Sequence, residues 1–208
     1  MKKVYFNLIL LINLTFGNAQ IYEIGIFGGG SNFIGDVGST KFIAPKKTAI
    51  GGLIRWNRSP RHSYRASLIY TNIHGDDNMS DDPRRNQRGY FFSFKSLELS
   101  AGIEFTFLDF DLHKGDRMFT PYIYTGISML NHPNFYYTNN RLMTEKTRSN
   151  AFGIPIALGA KFTLTENFIF GIEITARYTF SDEIDGSLPD TEELISSLKF
   201  GNINNNDW

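Results

Sequence analysis

Between Asn167 and Phe180 every second residue is apolar: Phe168, Phe170, Ile172, Ile174, Ala176, Tyr178 and Phe180. The residues between them are small or polar (Gly171, Glu173, Thr175, Arg177 and Thr179), with Ile169 the exception. A β-strand sends two such sets to opposite faces, whereas a helix would scatter both around its circumference. The same period runs through 152–164, where Phe152, Ile154, Ile156, Leu158, Ala160, Phe162 and Leu164 oppose Gly153, Pro155, Ala157, Gly159, Lys161 and Thr163. It runs again through 97–107, with Leu97, Leu99, Ala101, Ile103, Phe105 and Phe107 against Glu98, Ser100, Gly102, Glu104 and Thr106. Weaker versions occupy Tyr22–Gly28, Thr48–Trp56, His62–Thr71 and Phe119–Met129, where Tyr122 and Tyr124 fall on the small, polar side. Seven strands are predicted.

A soluble β-sandwich also alternates, but its wet face is free to carry bulky charged side chains. Here the non-apolar face is rich in Gly, Ala, Ser and Thr, as the crowded interior of a narrow barrel requires. The spans of about 9–13 residues suit a tilted bilayer crossing better than the shorter strands of soluble proteins. The fold class expected is therefore all-β, a small antiparallel transmembrane β-barrel of eight strands. Alternation places Glu23, Glu98, Glu104 and Glu173 inside, together with Arg55, Arg65, Lys161 and Arg177. Four charges of each sign are expected to pair there, because an unpaired buried charge is costly. The interior reads as a salt-bridged plug rather than a channel.

Connections fall into two classes. Asn57–Arg61 and Thr165–Asn167 are tight and Asp109–Met118 is moderate, whereas Gly29–Lys47, Ile73–Tyr90, Asn131–Ala151 and the stretch after Ser181 are long. Outer-membrane barrels have short periplasmic turns and long external loops, and the parity here follows that rule through all seven strands. Seven strands that start inside end outside, so Asn204–Trp208 reads as the lead-in to an eighth, closing strand lacking from this sequence. Within the last long stretch, Asp190 and Glu193 form a capping-box pattern before Leu194, Ile195 and Leu198, with Gly201 as a stop, which predicts a short helix.

Composition supports this picture. The 208 residues include 19 Phe, 10 Tyr and 19 Gly, a mixture suited to strands, interfacial girdles and turns. Lys and Arg total 21 against 21 Asp and Glu, so no basic excess points to nucleic acid. Cysteine is absent, which excludes disulfides and thiolate metal sites. At the N-terminus, Lys2 and Lys3 precede an apolar run, Val4–Phe16, and then Gly17-Asn18-Ala19. The run is too short to span a membrane and carries Asn7 and Asn13, so residues 1–19 are expected to be an export signal cleaved near Ala19. Residues 20–208 then form the barrel domain, located in an outer membrane.

Candidate chemistry is sparse. The glycine-rich run Gly28–Asp36 lacks the Lys-Ser/Thr of a phosphate loop and reads as a structured external loop needing positive φ. His74, Asp76, Asp77, Ser80, Asp81 and Asp82 put a base and carboxylates in one loop, which leaves a rim hydrolase as an alternative. The same acids could bind calcium, although their spacing is not that of an EF-hand. Arg84, Arg85 and Arg88 follow, in reach of lipopolysaccharide phosphates. No catalytic residue, cofactor or metal site is expected.

Several segments resemble a known family: Gly28–Gly38 (GGGSNFIGDVG), Arg55-Trp56-Asn57, Arg65-Ala66-Ser67-Leu68, Leu97-Glu98-Leu99-Ser100 with Glu104-Phe105, and Phe119-Thr120-Pro121-Tyr122. In the same order, over roughly Tyr22 to Phe180, they are similar to the PorG-like outer-membrane barrels of Bacteroidota, associated with type IX protein secretion. The resemblance implies a non-enzymatic barrel that anchors or organises a periplasmic ring of the secretion machine, with outer-membrane lipid and ring subunits as partners. Topology then nominates the periplasmic turns for contact: Arg58, Arg61, Asp109, Asp111, His113, Lys114 and Asp116. The alternative is a stand-alone adhesion or envelope barrel acting through its external loops.

Overall fold

The computed structural model describes residues 22–41, 43–114, 117–138, 141–181 and 184. The predicted export signal, capping-box helix and lead-in to an eighth strand fall on residues outside that set. Seven strands form: β1 (Tyr22–Ser31), β2 (Lys47–Ser59), β3 (His62–Asp76), β4 (Phe91–Thr106), β5 (Phe119–Thr138), β6 (Arg141–Thr165) and β7 (Phe168–Thr179). Each pairs antiparallel with its sequence neighbours, giving one strongly curled half-barrel sheet in the order β1 to β7. The seven predicted segments each lie on one of these strands.

The strands outrun the alternation on which they were predicted. β3 and β4 continue to Asp76 and from Phe91, and β5 and β6 continue to Thr138 and from Arg141. The expected long loop at 131–151 is therefore mostly a hairpin, in which Thr138 pairs with Arg141. Apolar and polar residues do not alternate there, so the pairing carries no period-two signature. A short helix, α1 (Pro83–Arg88), was also missed. The Asp82 side chain accepts from the Arg84 N–H at its start, Pro83 opens the first turn, and Gly89 closes it at φ 68°. Each of these is a standard terminal signal. The β5–β6 ladder has a gap between the pairs Thr125–Ile156 and Ser128–Gly153, at Pro155, which has no N–H to donate.

Which face is which follows from accessibility. Along β3, Ser63, Arg65, Ser67, Ile69 and Thr71 are buried and the residues between them exposed. β4 buries Ser96, Glu98, Ser100, Glu104 and Thr106 while Leu97, Leu99 and Ile103 stand out. The apolar set is the outer one on every strand: Ile24 is 85 % and Ile26 93 % exposed. This is the reverse of a water-soluble core. Aromatic residues gather at the two ends of that face. Tyr22, Trp56 and Tyr64 are paired neighbours at the short-turn end, with Phe105, Phe119, Phe162 and Phe170 at the same end of later strands. Tyr70, Phe152, Tyr178 and Phe180 lie toward the other end, and only aliphatic, small or uncharged residues stand between. On β6, Phe152 and Phe162 are ten steps apart, roughly 33 Å of strand and roughly 25 Å of height at the usual barrel tilt.

Inside, aromatic rings lie on glycines of the adjacent strand. A Cβ at Gly51 would sit 2.5 Å from the Phe27 ring, one at Gly75 2.5 Å from Phe92, and one at Gly159 2.4 Å from Tyr122. Each ring residue is the direct register partner of its glycine. Gly102 and Gly126 face one another across β4 and β5, where a Cβ would come within 2.1 and 2.2 Å of the opposite backbone. Gly102→Ala is expected to destabilise by about 2 kcal/mol or more, since backbone must move. Gly28→Ala, where a Cβ meets nothing, should stay within about 0.5 kcal/mol. Denaturant unfolding in detergent micelles measures both; equal losses would refute the close approach.

Candidate functional site

The curl of the sheet brings inward charges of different strands into one network. Glu104 of β4 is its centre and fully buried. Arg55 Nε donates to one of its oxygens at 2.8 Å and Lys161 Nζ to the other at 2.9 Å. Arg65 reaches the first oxygen at 3.7 Å. Arg55 also donates to Glu23 at 3.0 Å, and Lys161 lies 3.8 Å from the same carboxylate. Arg65 grips Glu173 with both ends of its guanidinium. A second, separate pair joins Arg177 and Glu98, at 2.6 Å. All eight interior charges named from the sequence thus face inward and find an opposite charge, six in one cluster and two apart.

Uncharged groups complete the cluster. Tyr122 donates to Glu173 at 2.8 Å and Thr175 does so at 2.7 Å. Asn57 donates to Glu23 at 2.9 Å and accepts from Ser63. Arg65 lies 4.6 Å above the Tyr124 ring and Arg55 5.8 Å from that of Tyr122. Alternation had placed both tyrosines on this face without giving them a role. Phe110 was missed altogether: it sits in the irregular 107–118 connection, yet it is buried against Lys161, whose ammonium lies 4.6 Å from its ring centre. Its N–H is held by Pro60 O at 2.9 Å.

At the long-loop end the interior turns apolar. Phe92, Phe135 and Val37 form a buried cluster with Phe33, Ile73, Tyr90 and Phe94 against it. Phe33 and Val37 come from the glycine-rich segment, which folds inward over the mouth. Its latch is Asp77, fully buried, whose carboxylate accepts from Gly38 N at 2.8 Å, Tyr90 N at 3.0 Å and the Arg88 guanidinium at 2.8 and 3.1 Å. Arg88 also donates to Asp36 O, and Arg85 to Gly35 O and Gly38 O. Gly38 takes φ 113°, but it lies just past the run Gly28–Asp36, within which no glycine has the positive φ expected; Gly28–Gly30 belong instead to β1. Arg85 and Arg88 are thus spent on the latch, leaving Arg84 alone of the three for the phosphate reading. Asp77 has no oxygen free to act as a base beside His74, which packs against Phe91. Among the described residues no cluster of three or more His, Asp or Glu side chains could hold a metal ion.

The short-turn end is polar and exposed. Arg61 Nε meets Asp109 at 2.6 Å, tying the β2–β3 turn to the β4–β5 connection, and Lys114 lies 4.0 Å from Asp111. Arg58 is exposed at the end of β2, His113 belongs to the turn Leu112–Lys114, and Asp116 lies outside the described residues. The Arg61 hydrogen bond and charge hold the Asp109 carboxyl below the usual carboxylate range. No described helix is long and apolar enough to cross a membrane, which says nothing of strands.

Two predictions follow from these contacts. Glu104→Ala leaves Arg55 and Lys161 buried without their shared partner and should cost about 3–5 kcal/mol, read from denaturant midpoints. A loss no larger than that of an exposed Glu166→Ala control would refute its central place. Because folding lowers the Asp109 pKa, the Arg61 pair stabilises above the ordinary aspartate range, near about pH 4. That contribution is lost as pH falls through the lowered value. Both partners are exposed, so the readout is the Asp109 carboxyl resonance rather than global stability. Arg61→Ala should return its titration to the ordinary range.

Comparison with known proteins adds a family and no function. No curated protein and no solved structure matches the chain. The family model described as a domain of unknown function, DUF6089, matches residues 2–208.

Proposed function

We propose that this chain, which belongs to the DUF6089 family, is a non-enzymatic outer-membrane barrel that anchors or organises a protein-secretion assembly of the type IX kind. The observation that carries the membrane part is the outer face. Large exposed apolar residues cover every strand, bounded at both ends by aromatic side chains. Water would drive such a surface to aggregate, whereas hydrocarbon solvates it and aromatic belts sit at its two boundaries. The export signal read at residues 1–19 is consistent with that destination.

The interior argues against conduction. Six charges neutralise one another in the lower half, Phe110 closes that end, and the Asp77 latch holds an apolar plug at the other. What such a barrel offers a partner is therefore its ends. The short-turn end, periplasmic in this reading, presents Arg58, Arg61, Asp109, Asp111 and Lys114, a mixed-charge surface fitted to a protein subunit. The secretion role itself rests on the resemblance of Gly28–Gly38 and the later motifs to PorG-like barrels. A second reading draws on the β5–β6 hairpin, which runs on to the Thr138–Arg141 pair and would give a stand-alone adhesion barrel its external reach.

Crosslinking in intact envelopes decides between them. Photo-crosslinkers at Arg58 and Lys114 should capture periplasmic ring subunits. Reversing Arg61 and Asp111 together should cut that product by about tenfold while the barrel still inserts. Unchanged capture and unchanged secretion in the reversed variant would refute the anchoring role. Loss of surface binding on trimming the hairpin, with secretion intact, would favour the adhesion barrel.

A further inference from the structure

Outward positions on the middle strands are uncharged from Leu97 along β4, Met129 along β5 and Phe152 along β6 to the short-turn end. Where that apolar face stops, the next outward residues are Lys95 on β4, Asn131 on β5, and Asn150 and Arg148 on β6. Lys95 and Arg148 are both exposed. Arg148 is held in place: its Nε donates to Asn131 Oδ1 at 2.6 Å, and its Nη2 to Asn131 O at 3.2 Å and Lys95 O at 3.4 Å. Asn131 is itself fixed by Asn150 at 2.8 Å. Asn72 is the register partner of Lys95 on the other side. Among the described residues no carboxylate pairs with either cation.

Two features of this arrangement point to a ligand. Each of the four interior cations meets a carboxylate, whereas in this outer cluster Lys95 and Arg148, whose guanidinium reaches the Lys95 carbonyl, meet none among the described residues. Arg148 has also given up its freedom to three acceptors, so little further entropy is lost when its remaining N–H groups meet an anion. The height is informative as well. Cations just beyond an apolar band lie at the level of lipid headgroups, and a guanidinium fork with a neighbouring ammonium matches a phosphate. Building on the membrane reading above, we propose that Lys95 and Arg148 bind the phosphate of a lipid headgroup in the leaflet at the long-loop end, with Asn72, Asn131 and Asn150 lining the site. Arg85 and Arg88, whose guanidiniums hold the latch, play no part in it.

The test reconstitutes the full chain in phosphatidylcholine vesicles and titrates in fluorescent bis-phosphorylated lipid A, with its dephosphorylated form as control. The wild-type chain should retain the phosphorylated lipid, and Lys95→Ala with Arg148→Ala should weaken retention by about tenfold. Lys95→Arg should keep it. Equal retention by the double variant, equal retention of the dephosphorylated lipid, or displacement of the lipid by millimolar inorganic phosphate would each overturn this site while leaving the barrel in place. Failure of the wild-type chain to insert at all would overturn the membrane reading instead, and is seen separately by protease protection of the strands.

Discussion

The two oxygens of Glu104 take hydrogen bonds from Arg55 on one side and Lys161 on the other, residues four strands apart in the sheet. That contact exists only if the sheet curls back on itself. Taken with Glu23, Arg65 and Glu173, the network draws on β1, β2, β3, β4, β6 and β7, and β5 joins through Tyr122 and Tyr124. A narrow interior cannot carry an unmatched charge, so every strand is bound to the position that lets its side chain meet its partner. The outward face then follows by alternation: once the polar set is committed inward, Leu, Ile and Phe have no core to enter and must face the surroundings. The half-barrel is in this sense inside out, with ion pairs where a soluble domain keeps its hydrocarbon.

Much of this was legible in the sequence because a period of two is a geometric signal. It distinguishes faces without knowledge of which strand neighbours which, and so it named all eight interior charges. It could not say that six would cluster around Glu104 while Arg177 and Glu98 stood apart, since partner choice depends on register across strands. Nor could it see β5 and β6 continuing past His132, where apolar and polar residues no longer alternate. Phe110 escaped for another reason: it lies in an irregular connection, where burial has no periodicity. Helix α1 was a lapse of a different kind, because Asp82, Pro83 and Gly89 spell out its ends and only its brevity hid it.

Arginine is used in three ways along the chain, and the difference lies in what surrounds it. Arg55 and Arg65 are neutralised by carboxylates and stacked near tyrosine rings, so they act as scaffold. Arg85 and Arg88 donate to backbone carbonyls and to Asp77, fastening one loop to another. Arg148 is gripped by neutral acceptors, and among the described residues no carboxylate meets its charge. A run such as Arg84-Arg85-Asn86-Gln87-Arg88 attracts attention in a sequence because it is dense, yet two of its three arginines are spent on the latch, whereas the isolated Arg148 is held by neutral acceptors.

The rings laid on Gly51, Gly75 and Gly159 bear on how the sheet reaches its correct pairing. A strand sliding by two residues keeps its faces, so alternation alone would not penalise the error. Such a slide would carry Tyr122 from Gly159 onto Ala157 or Lys161, Phe27 from Gly51 onto Ala49 or Leu53, and Phe92 from Gly75 onto Ile73 or Asp77. Each alternative sets a side chain where the ring must lie. The glycines thus serve as proofreading marks, making a misaligned hairpin sterically unacceptable before its neighbours have been laid down.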